Sequence, residues 1–277
     1  MPTTASSSKS PLAATIAEKL NLGESLVNAD YSDRDLYAIA LNQANLERVN
    51  FSQSILTNAD LVGANLTGAN LSQTDLRGAN LTGANLTGAN LTGAYLSRAD
   101  LRQANLTDAN LTDARFQVTI YDNDTVFPEG FDYQGSGAVG PGAKLNGAYL
   151  NTANLRGVDL TGAKMIGAYL SGADLTGAIL DDVSLSSANL QKAIMTGASL
   201  RNARLGNCEL KGVDFRAADF TGANLDSILN VAGADFSMAV GLSEQARSAI
   251  LGFPAPDLTT WNPYTRCNTK DSLAITA

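Results

Sequence analysis

The chain reads as an all-β solenoid, a β-helix of stacked square coils with short α-helical caps at both ends. Three observations lead there. From Tyr31 to Phe116, and again from Leu145 to Leu225, every fifth residue is large and apolar. Two places before most of these sits a small residue, as at Ala59, Ala64, Ala69, Ala79, Ala84 and Ala89. Two places after many of them sits glycine, as at Gly63, Gly68, Gly78, Gly83 and Gly88.

A period of five fits neither an α-helix nor a long strand. Within one unit, however, the small and the large residue are two apart, and in extended backbone such residues face the same way. Each unit is therefore a short extended stretch with two inward side chains, followed by a corner that glycine or a small polar residue can turn. Four corners close a coil, and coils stack through backbone hydrogen bonds at about 4.8 Å. Alanine suits the narrow inward slot; a bulky residue at Ala84 is expected to cost about 1–3 kcal/mol through overpacking.

The run Ala-Asn-Leu-Thr-Gly, repeated almost verbatim from Ala64 to Gly93, resembles the pentapeptide-repeat family. The resemblance covers residues 29–115 and 143–237. It implies a right-handed quadrilateral β-helix, and the likeness extends to members from oxygenic phototrophs.

Five segments follow from this reading. Residues 1–28 are a polar stretch and a capping helix, in which Ser10-Pro11 marks the start and Leu12, Ile16 and Leu20 form an apolar stripe. Residues 29–116 form the first repeat block. Residues 117–142 interrupt it, as either a degraded coil or a loop that leaves the solenoid and returns; Tyr121, Val126 and Phe131 keep the spacing, but Thr119, Asp124 and Glu129 stand where small residues are expected. Residues 143–237 form the second block, in a shifted register. Residues 238–277 are a capping helix, Glu244–Leu251, with Ser243 before it and Gly252 after it, then a tail holding the lone tryptophan, Trp261. Caps are expected because open solenoid ends expose unpaired edges.

Composition narrows function. The 277 residues include no histidine, and the net charge is −8. That removes the commonest general base and metal ligand and disfavours direct nucleic-acid binding. A filled coil offers no catalytic pocket, so neither an enzyme nor a cofactor is expected. Asp122-Asn123-Asp124 lacks the glycine and glutamate of a calcium loop, and no metal site is read. Cys208 falls in an inward slot and reads as an inert core residue; whether it pairs with Cys267 is left open. No apolar run is long enough to span a membrane.

The candidate partner-binding residues are aromatic. Tyr121, Phe127, Phe131 and Tyr133 concentrate in the interruption, where loops on rigid scaffolds often carry binding; the other reading is that they pack on the flank of the solenoid. Tyr149 and Tyr169, twenty apart, are a stacked patch or a cross-strand pair. Trp261 marks the tail. Asn45, Asn65, Asn85 and Asn105 should stack in one column as an amide ladder.

The function expected is a non-catalytic protein-protein interaction scaffold for an unknown protein partner. Its Phe-Pro-Glu-Gly-Phe-Asp segment and its Asn-Pro-Tyr-Thr-Arg-Cys tail resemble pentapeptide proteins of phototrophs, which implies association with a photosynthetic or light-harvesting assembly. The alternative is an acidic DNA mimic, since some members of the family bind type II topoisomerases. Against it, Asp60, Asp75, Asp100, Asp108 and Asp113 are mixed with Arg77, Arg98 and Arg102. The polar Met1–Ser10 segment lacks a signal core, so the expected location is cytoplasmic; removal of a leader would point to the thylakoid lumen. A monomer or an end-to-end dimer is expected.

Overall fold

The computed structural model describes residues 11–275; Met1–Ser10, including the expected helix start at Ser10, lie outside them. The chain divides into two compact units, Met1–Ala138 and Val139–Ala277.

The N-terminal unit opens with helix α1, Pro11–Asn21, which buries Ala13 and Ile16. Five-residue units follow, each a turn and a single bridging residue. The first is Leu26–Asp30, one unit before the rhythm becomes clear in the sequence: Leu26 is buried and Asp30 bridges Asn50. From there the bridges are parallel and run twenty residues apart, as in Asn45↔Asn65↔Asn85↔Asn105. Four units therefore make one turn of the chain. Leu81 N donates to Asp100 O at 2.8 Å and Asn85 N to Ala64 O at 2.9 Å, so each turn is bonded to the turns before and after it. Leucines and alanines fill the interior.

Each residue of the motif Ala-Asn-Leu-Thr-Gly has its own place in the coil. Ala64 and Leu66 point inward and are buried. Asn65 Oδ1 accepts from Thr67 N at 3.2 Å and from Thr67 Oγ1 at 2.6 Å, which fixes the turn. Gly68 then takes φ +62°, the left-handed region that costs glycine least. The expected amide ladder forms only in part: Asn65 Nδ2 donates to Asn45 Oδ1 at 3.0 Å, but Asn85 Nδ2 donates to Thr67 Oγ1 at 3.0 Å; in a neighbouring column Asn70 Nδ2 donates to Asn50 Oδ1 at 3.0 Å.

The pattern does not stop at Phe116. Thr119 fills the small inward slot that had read as spoiled, and Val118 takes the left-handed turn position at φ +62°. Ile120 bridges Asp100 at the usual distance. Val126 then bridges Asn105, twenty-one residues away, so one extra residue has entered the coil. The departure itself begins at Phe127 and contains a single 3-10 turn, Tyr133–Gly135.

The C-terminal unit repeats the arrangement from Lys144, which bridges Lys164. Its spacing also widens once: Glu209 bridges Asn230 and Asp214 bridges Asp235. The added residue lies near Leu229 and moves Val231 and Phe236 into the large inward slots, both buried. Helix α2, Glu244–Leu251, starts where the Ser243 side chain accepts from Ala246 N and ends at Gly252. Helix α3, Ala255–Leu258, strand β1, Trp261–Asn262, strand β2, Cys267–Asn268, and helix α4, Thr269–Ser272, complete the unit. β1 and β2 form an antiparallel hairpin.

This tail covers the open face of the last turn with side chains. Thr269 Oγ1 donates to Val231 O at 2.6 Å, Asn262 Nδ2 to Gly233 O at 2.8 Å, and Phe236 N to Ser272 Oγ at 3.0 Å. These groups would otherwise form an unpaired edge.

Candidate partner-binding site

The interruption brings its four aromatic candidates together. Phe127 and Tyr133 stack at 4.7 Å with planes 4° apart, and Tyr121 meets both edge-on at 5.7 and 5.3 Å. Phe131 lies 5.3 Å from Phe116. Tyr121 is only 2 % exposed, so its ring is the floor of the cluster and not a contact surface; it occupies a large inward slot, five after Phe116. Phe127, Phe131 and Tyr133 are half-buried against it. Much of their apolar surface is thus spent on the N-terminal unit itself.

In the C-terminal unit the aromatics face outward. Tyr149 and Tyr169 stack at 4.8 Å with planes 4° apart, and they are 78 % and 42 % exposed. Bridging residues, they are held twenty apart on adjacent turns. Trp261, on β1, is 59 % exposed and is not in ring contact with them among the described residues. Tyr264, at the hairpin tip, is 80 % exposed; sequence reasoning passed over it, although Asn262-Pro263 just before it signals a turn.

Several aspartates are neutralised by a nearby arginine. Asp75 pairs with Arg77, Asp100 with Arg102, Asp174 with Arg156, Asp214 with Arg216 and Asp219 with Arg201. The Arg77 hydrogen bond is the main cause holding Asp75 below the ordinary carboxylate range. For Asp214, burial pushes upward, but the hydrogen bonds from Arg216 outweigh it and the carboxyl titrates low. Such acids are fixed structural anions rather than proton carriers. Both cysteines are free; Cys208 Sγ donates to Leu185 O at 3.0 Å, and burial pushes its thiol up to about 12. No cluster of three metal-ligating side chains occurs among the described residues, and no described helix is long and apolar enough to cross a membrane.

The interior is filled, yet the surface is not smooth. A hollow of about 590 Å³ follows one corner of the N-terminal unit between Asn58, Arg77 and Arg98. In the C-terminal unit, hollows of about 400 and 170 Å³ adjoin beneath the β1–β2 hairpin.

Comparison with known proteins places the chain. Among curated proteins none matches. Several solved structures are similar. HetL, a pentapeptide repeat protein involved in heterocyst differentiation regulation from the cyanobacterium Nostoc sp. strain PCC 7120, is 26 % identical over 82 % of this chain and 95 % of its own, with a TM-score of 0.33. A second pentapeptide repeat protein from Nostoc PCC 7120 is 36 % identical over 45 % of this chain and 92 % of its own, with a TM-score of 0.31. One from the Arabidopsis thaliana thylakoid lumen is 19 % identical over 88 % and 89 % of the two chains, with a TM-score of 0.21. The family described as pentapeptide repeats matches in 8 copies, over residues 44–83, 84–117, 142–172, 168–207 and 198–227. With more than half of its residues matched, the chain belongs to the pentapeptide-repeat family.

Proposed function

We propose that the protein is a non-catalytic scaffold that binds a protein partner through pre-ordered aromatic side chains on its coil faces. One observation carries this reading: Tyr149 and Tyr169 lie stacked and exposed on adjacent turns. Rings already fixed by the backbone ladder lose little freedom on binding, and buried aromatic anchors dominate interface energies. We take the stacked turns to be the right-handed quadrilateral β-helix of the family, a rigid support for such a patch. Residues 117–142 act in this scheme as a structural splice, because their rings pack on one another and on Phe116.

The partner belongs, in this proposal, to a photosynthetic or light-harvesting assembly on the cytoplasmic side; the support is the resemblance of the insertion and the tail to proteins of phototrophs. The DNA-mimic alternative is not favoured. Asp75 and Asp100 are each neutralised by an arginine two residues away, and a mimic needs a dense, uncompensated acidic face.

Affinity capture from the host, with mass spectrometry, tests the reading. The full chain is run beside Tyr149→Ala/Tyr169→Ala and beside a chain in which residues 117–142 are replaced by one consensus unit. The expected result is a partner lost by the tyrosine variant and kept by the replacement. No specific capture, or the same partner retained by the tyrosine variant, sinks it.

A further inference from the structure

Beneath the hairpin of the C-terminal unit lies a cleft that the cap does not need. The hairpin is seated by Asn262, which is 2 % exposed. Its Nδ2 donates to Gly233 O at 2.8 Å and to Gly212 O at 3.4 Å. Its Oδ1 accepts from Tyr264 N at 3.0 Å and Thr265 N at 3.3 Å, so the same side chain shapes the tip. A Cβ on Gly233 would lie only 3.6 Å from Thr260, which shows how closely the hairpin approaches this corner. Asn262, Thr269 and Ser272 already satisfy the last turn. Trp261 and Tyr264 add nothing to that task, yet both project into solvent as large rings.

Below the rings the two hollows share Lys192, Gly212, Asn262 and Tyr264. The exposed ring of Tyr264 and the exposed Ile194 provide apolar walls. Lys192 and Lys211 line the same space, and neither ammonium has an ion-pair partner among the described residues. Arg216, close by, is held by Asp214. Two lysines without ion-pair partners stand here beside two exposed rings, and paired cations of this kind attract negative charge. A lone small anion would use the lysines and leave the rings idle. An extended peptide with acidic residues around an apolar side chain uses both.

We propose that this cleft binds an acidic peptide segment of a partner protein, with an apolar side chain seated against Tyr264 and Trp261 and carboxylates on Lys192 and Lys211. The proposal deepens the scaffold reading and rests on it.

The test uses the full chain and phage-displayed random short peptides. Selected peptides are expected to be rich in Asp and Glu around a Leu or an aromatic residue. A synthetic copy should shift the emission of Trp261, the lone tryptophan. Its affinity should fall about tenfold or more, equivalent to about 1.4 kcal/mol, on Lys192→Glu/Lys211→Glu. The same loss is expected on Tyr264→Ala. These side chains are exposed, so the variants should keep the parent's unfolding midpoint, which is checked first. No enrichment of acidic peptides, no change in Trp261 emission, or equal binding by the charge-reversed variant overturns the proposal. If the partner captured from the host still binds Lys192→Glu/Lys211→Glu, the scaffold reading stands while the cleft fails.

Discussion

The Thr119 hydroxyl donates to the Leu96 carbonyl at 2.7 Å, with both residues fully buried. The same bond, across twenty-three residues, joins Ser54 to Tyr31 at 2.6 Å, Thr74 to Phe51 at 2.7 Å and the Cys208 sulfur to Leu185. Each Ser, Thr or Cys that replaces alanine in the narrow slot finds this carbonyl. The coil therefore tolerates Ser, Thr and Cys inside it without a stranded donor. For Thr119→Val we expect a loss of no more than about 1 kcal/mol, because Leu96 O keeps its bond from Ala99 N. Thr119→Leu should lose about 1–3 kcal/mol by overpacking. Urea titration distinguishes this from a loose insertion, where both substitutions would be silent.

Val118 holds φ +62°, a conformation that is strained for a β-branched side chain. Val118→Gly is expected to raise stability by about 1 kcal/mol. The reverse change, Gly83→Ala at φ +65° with open space around the added methyl, should lower it by about as much. Denaturant midpoints measured on the two variants should move in opposite directions.

The cysteines should react unequally. Burial pushes the Cys208 thiol to about 12, whereas Cys267 is only half-buried and raised first by burial and then by Asp235. A colourless-to-coloured thiol exchange assay at mildly alkaline pH should titrate Cys267 slowly in the native protein. Cys208 should respond only at the rate of global unfolding.

Acid should weaken the protein in a defined window. Asp75, Asp174, Asp214 and Asp219 all titrate below the ordinary value of 3.8 in the folded state. Their contribution is complete above that value and drains away as pH falls through their lowered ones. The urea midpoint should therefore be flat from neutral pH to about 4 and decline below it. Removing the arginine partner with Arg216→Ala should lower the midpoint at neutral pH and shrink the Asp214 share of the acid-linked decline, because burial then works against the charged carboxyl without the guanidinium to offset it.

Much of this was legible because the repeat states its own geometry. Ala64, Leu66 and Gly68 announce inward, inward and turn by size alone. Other parts were hidden for physical reasons. One residue added near Leu229 shifts the phase, so Val231 and Phe236 no longer fall on multiples of five although they fill the same slots. Thr119 looked wrong for a small slot because its hydroxyl partner lies twenty-three residues back. The asparagines read as a ladder, yet their chief task is local: Oδ1 of Asn85 accepts from Thr87 N at 3.1 Å and Thr87 Oγ1 at 2.6 Å. At the cleft, Lys192 and Lys211 are nineteen apart, and only stacked turns make that spacing adjacency; Tyr264 needs the hairpin that Asn262 builds.

The bonds described for Leu81, Asp100, Ala64 and Asn85 all reach one turn away, and almost none hold a residue to its immediate neighbours except across a corner. Continuity of the chain and continuity of the structure are thus nearly separate properties. A protease that cuts the exposed turn at Thr82-Gly83 leaves both new ends stitched above and below, and the nicked protein should migrate as one species until denaturant separates its pieces.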